Sequence, residues 1–217
     1  MEQIRGILDH FPALWNQAIA IWASGGWAMY AIAVNALVMF GMGMHIWFKL
    51  REKGFSSVPE KTWRRWIDHP DQRKGPVGRL LDFVSGARSL KDSAINFEEL
   101  QASEVAPFQR DLLVMRIAVG AAPLLGLLGT VTGMLSTFGA MATGTGGEQT
   151  MDQIAKGISE ALVTTETGLV IALPGLFMQH ALGRGVEKYK AFLAHLETVF
   201  NQNLYWRIKA GQPSPAA

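Results

Sequence analysis

The sequence predicts an all-α membrane protein with three transmembrane helices, and three observations carry that reading. Of its 217 residues 49% are hydrophobic and only 18% charged, against about 25% charged in a soluble globular domain. The charges avoid three stretches: Gly25 to Phe48 and Ile117 to Ala142 contain none, and Ala161 to Gly183 contains Glu166 alone. Each is long enough to cross a bilayer, which takes about 20 mostly apolar residues. Twenty Lys and Arg against eighteen Asp and Glu leave a formal net charge of +2, which gives no general basis for nucleic-acid binding. Without cysteine there is no disulfide framework, thiol nucleophile or zinc thiolate site.

Residues 1–24 do not read as a cleaved leader, because Glu2 and Asp9 interrupt them and no continuous apolar core follows Arg5. Ile4, Ile7, Leu8, Phe11, Leu14, Trp15, Ala18, Ile19 and Trp22 recur at steps of three and four, the mark of a one-sided helix. Two compatible readings stay open: a helix packed on the rest of the chain, and a helix lying in the membrane surface. The first span is expected over 25–48, with Trp27 and Trp47 about 30 Å apart at 1.5 Å per residue, near the two interfaces. Lys49, Arg51 and Lys53 close it.

Residues 49–111 hold twelve Lys or Arg and ten Asp or Glu, whereas residues 139–155 hold no Lys or Arg before Lys156. The positive-inside rule therefore puts 49–111 and the tail 184–217 in the cytoplasm, and the N-terminus and the short connection 143–155 outside it. Within 49–111, prolines and glycines leave room for short helices around Lys61–Ile67, Val77–Ala87 and Ser93–Val105. Arg64, Arg65, Arg73, Lys74 and Arg79, flanked by Trp63 and Trp66, form a basic cluster whose nearest partners would be water or anionic headgroups rather than nucleic acid.

The second span, 112–142, carries Ala122, Gly126, Gly129, Gly133 and Ala140 as a strip of small residues at helical spacing. The third, 156–183, carries Ala161, Thr165, Gly168, Ala172 and Gly175. Small strips let helix backbones approach closely, so Gly126, Gly129, Gly133, Gly168 and Pro174 are expected to shape a shared seam. Carboxylates are costly in hydrocarbon, by about 2.5 kcal/mol or more, which makes Glu160 and Glu166 functional candidates. The plain alternative for Glu160 is a first-turn carboxylate at the membrane edge. For Thr130 and Thr165 it is a hydroxyl bonded to its own helix backbone. Counted from the short connection, both threonines lie roughly 18 to 20 Å inward.

The runs APLLGLLGTVTG (122–133, from Ala122) and GISEALVTTETGLVIALPG (157–175, from Gly157) resemble the MotA/TolQ/ExbB proton-channel family, and its ExbB branch most. The resemblance implies a bacterial inner-membrane, multi-pass subunit in a homopentameric ring around ExbD-like single-span partners. It would use proton motive force, through a TonB-like protein, to energise outer-membrane uptake of siderophores, haem or vitamin B12. Thr130 and Thr165 then match the polar pore residues of the second and third spans, and Glu160 the acid that begins the third. No cofactor and no metal are implied. Glu166 departs from the family's pattern as an extra acid, 100° around the helix from Thr165 and 240° from Glu160, so it faces either the pore or a neighbour's Thr132 or Ser136.

After the third span Val186, Tyr189, Leu193, Leu196, Phe200 and Leu204 continue an apolar face, expected as bundle core. No phosphate-binding glycine motif, nucleophile elbow or metal-ligand spacing of histidines supports an enzyme. The close alternative is a TolQ-like subunit serving outer-membrane constriction; a non-conducting membrane scaffold is the alternative from another class.

Overall fold

The computed structural model describes residues 22, 25–55, 58–87, 89–144 and 146–210. The described chain is helical: α1 (Gly26–Glu52), α2 (Glu60–Asp68), a 3-10 turn (Pro70–Gln72), α3 (Gly75–Ser85), α4 (Leu90–Glu104), α5 (Ala106–Thr143) and α6 (Glu148–Lys209). Three stretches are long and apolar enough to cross a membrane: α1, the α4–α5 run and α6. The expected amphipathic helix over 1–24 lies almost wholly outside the described residues.

The helix ends have local causes. Ser89 caps α4 by accepting from the Asp92 N–H at 3.1 Å, which starts that helix three residues before Ser93. Pro76 sits in the first turn of α3, where its missing N–H costs nothing. Gly146 and Gly147 both have positive φ, 77° and 126°, and turn the chain straight into α6. Helix α6 begins at Glu148, inside the stretch expected as the connection 143–155, and Glu148 is its favourable first-turn acid. Helix α6 continues without a break from the third span into the apolar stripe expected after it, and holds Pro174 inside.

The chain divides into two units, Met1–Gly41 with Met115–Phe177, and Met42–Val114 with Met178–Ala217. The first, the apolar unit, buries mostly small or slender groups: Ala28, Met29, Ile32, Met39, Ala118, Val119, Ala122, Ala161 and Thr164. Its outward side chains are large and apolar, among them Leu37, Leu124, Leu135, Leu162 and Phe177, as a lipid-facing surface requires. The second, the polar unit, has the opposite plan. Trp63, Leu81, Phe97, Phe108, Tyr189, Leu193, Leu196 and Phe200 are its core, while its surface is charged.

Of the basic cluster expected near Trp63 and Trp66, this core takes up Arg73, while Arg64, Arg65, Lys74 and Arg79 stay exposed. Trp63 is buried, edge-on to Phe192 and His195. The Arg73 side chain is 4% exposed; it donates to the Trp66 carbonyl, Asp82 and the Ser85 hydroxyl. Arg64 pairs with Glu60 one turn earlier. Charge that reads as a surface in the sequence is thus partly internal mortar.

Candidate functional site

The seam between α5 and α6 in the apolar unit is made by glycines. A Cβ on Gly133 would lie 2.7 Å from the Gly157 carbonyl, and one on Gly168 2.7 Å from the Ala122 carbonyl. One on Gly126 would stand 3.0 Å from the Thr164 carbonyl, and Gly129 faces the Thr164 side chain directly. Backbone therefore meets backbone, which gives dispersion contacts and close carbonyl approaches where lipid supplies no hydrophobic drive. Gly175 of α6 receives the Met39 thioether of α1, so α1 joins the bundle through a flexible side chain rather than backbone. Asn35 of α1 donates to the Ala118 carbonyl of α5 at 2.9 Å.

The threonines divide by partner. Thr165 donates across the seam to the Gly126 carbonyl at 3.1 Å and shares that proton with its own Ala161 carbonyl at 3.2 Å. Thr130, half-buried, donates to Leu127 of its own helix at 2.7 Å. The structure thus brings Thr165 onto the seam and gives Thr130 the self-bonded state, with no bond between the two. Sequence reasoning missed Thr164 and Thr137, 0% and 4% exposed, which bond their own backbones and fill the space opposite Gly129 and Gly157. The signal was present as Gly157, Ala161, Thr164 and Gly168, small residues at steps of four, three and four.

The two acids occupy different settings. Glu160 is half-buried and lines a cavity of about 350 Å³ with Ser136, Ala140, Thr143, Gln153, Lys156 and Gly157. Its carboxylate also occupies the place a Cβ on Gly26 would take, beside the first residue of α1. Gly26 has φ 63°, a backbone that other residues adopt only with strain. Glycine is therefore required there twice, by conformation and by the carboxylate. Glu166, one residue past Thr165, is exposed on a face shared with Leu162, Leu169, Val170 and Leu173. Pro174 is exposed as well, within the helix rather than at the seam. Among the described residues no group of three or more His, Cys, Asp or Glu is placed to hold a metal ion.

The sequence profile of the MotA/TolQ/ExbB proton channel family matches residues 85–194, just over half of the chain. The chain belongs to this family. The match takes in all of α5 and the part of α6 that bears Glu160, Thr165 and Glu166, while α1 and α2 lie outside it. A Synechocystis sp. protein described as ExbB-like is 34% identical over 117 residues, 52% of this chain and 45% of the relative. The ExbB protein of Pseudomonas putida is 33% identical over 99 residues, 45% of this chain and 29% of that one. The Tol-Pal system protein TolQ of Haemophilus influenzae is 26% identical over 126 residues, 56% and 52% of the two chains. The matched segments thus span about half or less of these relatives. Family membership and three apolar helices together make the chain a multi-pass membrane protein, with its likeness greatest to the ExbB-named members.

Proposed function

We propose that the chain is an ExbB-like subunit of the inner membrane, N-terminus out and C-terminus in. In this reading it forms a homopentameric ring around an ExbD-like single-span partner and uses proton motive force to drive a TonB-like protein. The observation that carries the reading is the placement of polar groups in an apolar unit. Half-buried Glu160 lies on a hydroxyl- and lysine-lined cavity at one end of the α5–α6 seam, and Thr165 sits on that seam further along α6. Such groups lower the cost of moving a charge through low dielectric. Glu166 supports the ring: a carboxylate on an otherwise apolar outer face is tolerable only where protein or water covers it. The ExbB-named relatives favour transport, and the TolQ relative keeps a Tol-Pal role as the second reading.

Proton flux into liposomes carrying the chain with its co-expressed partner tests this. Glu160→Gln and Thr165→Val should each lower flux at least tenfold with the assembly intact on a sizing column. Glu166→Gln should move the pH profile of the flux. Unchanged flux in both of the first two variants would remove these residues from the ion path. Restoring siderophore uptake, rather than outer-membrane integrity, in cells lacking one or the other system separates the two branches.

A further inference from the structure

The polar unit contains a cavity of about 330 Å³ that the proton path does not use. It is lined by the end of α1 (Glu52), by Lys53 just beyond it, by α3 (Pro76, Arg79, Leu80, Phe83), by α4 (Leu100, Ser103, Glu104) and by Tyr189 of α6. Two of its four charges cancel internally. Lys53 pairs with Glu104, and the Tyr189 hydroxyl donates to the same carboxylate at 3.0 Å. The other two, Glu52 and Arg79, are exposed and enter no ion pair among the described residues. The cavity thus offers one free anion and one free cation. Leu80 and Leu100, nearly fully buried, and half-exposed Phe83 give it an apolar side.

We propose that this cavity binds the phosphoethanolamine headgroup of a membrane phospholipid, with the phosphate on Arg79 and the ammonium on Glu52. The charge pattern selects the class. A headgroup that is only anionic would satisfy Arg79 but set its charge against Glu52, whereas a zwitterion meets both. A choline headgroup has the right charges but no N–H, so it cannot give Glu52 the charge-assisted hydrogen bonds that an ammonium provides. Position agrees. Glu52 follows Trp47, the interfacial aromatic of α1, by five residues, about 7.5 Å of helix. The headgroup layer is about 5 to 8 Å deep on each side of the hydrocarbon. Pro76, Leu80, Leu100 and Phe83 would then meet the first methylenes of the acyl chains. Arg79, exposed on this cavity and in no ion pair among the described residues, acquires a ligand in this way.

Native mass spectrometry of the delipidated full-length chain in detergent, titrated with dioleoyl phosphatidylethanolamine, tests the proposal. One tightly held lipid per chain is expected. Affinity should fall at least tenfold in Arg79→Glu and in Glu52→Lys, both surface changes that leave thermal unfolding in place. The milder Arg79→Gln should weaken binding by less. Phosphatidylglycerol and phosphatidylcholine should bind at least tenfold more weakly. Equal binding of phosphatidylglycerol, equal binding of soluble phosphoethanolamine, or indifference to both charge reversals would overturn it. None of these outcomes bears on proton flux, so the proposal fails or stands separately from the channel reading.

Discussion

The apolar and polar units of one chain hold together by opposite means. In the polar unit Phe97, Phe108, Tyr189, Leu196 and Phe200 are fully buried, and the removal of their surface from water drives the packing. In the apolar unit the large side chains point outward, and α5 meets α6 through Gly126, Gly129, Gly133, Gly157 and Gly168. Lipid is as apolar as leucine, so burying leucine there gains nothing and close backbone approach gains dispersion and dipole contacts. The same residue types therefore carry opposite meaning on either side of position 177 of α6.

That contrast can be broken by substitution, most strongly in the aromatic core. Phe200→Ala should cost the polar unit about 3 to 5 kcal/mol, read from denaturant unfolding in micelles, whereas Phe177→Ala on the exposed face of the apolar unit should change little. Gly133→Leu should follow, at about 3 kcal/mol. Its side chain would collide with the Gly157 carbonyl and the Ala161 backbone, while Gly139→Leu, with nothing within 4 Å of its Cβ, should be silent. Helix association in detergent distinguishes them.

Tyr189→Phe comes next. Burial, then the neighbouring Glu104 carboxylate, pushes the Tyr189 phenol far above its ordinary value, so it stays a donor at every physiological pH. Its loss should cost about 1.5 kcal/mol, with Lys53 still holding Glu104. The smallest effect belongs to Glu60, whose carboxyl the His195 ring and Arg64 hold below its ordinary 4.5. A lowered value means that the ionised form is favoured on folding. Its contribution is present at neutral pH and lost as pH falls through the folded value. Wild-type and Glu60→Gln melting curves should therefore differ slightly at pH 7 and converge well below pH 4.5.

Much of this was legible in the sequence, for a physical reason. Span length and the absence of charge are crude quantities that the bilayer enforces, and the glycine strip follows from helical spacing alone. Which of two adjacent threonines faces the partner helix does not: Thr164 and Thr165 are 100° apart, and only the packed seam shows that Thr164 is sealed while Thr165 reaches the Gly126 carbonyl. Trp63 and Arg73 misled for a similar reason. A short helix with five charges among nine residues reads as surface until the partners of Arg73 and the ring of Phe192 are placed beside it. The proximity of Glu160 to Gly26 spans 134 positions of chain and leaves no local trace.

The hydroxyls of the apolar unit have one further property. Thr130, Thr132, Thr137, Thr164, Thr165 and Thr167 each spend their hydrogen on a main-chain oxygen, and an oxygen of that kind brings none to share. What remains at each is a pair of electron lone pairs, able to receive and unable to give. Thr137 and Thr164 are sealed against glycines; at half-buried Thr130, Thr132, Thr165 and Thr167 the hydroxyl oxygen can receive a hydrogen or a cation, so a hydronium fits where a bare anion is left unsolvated.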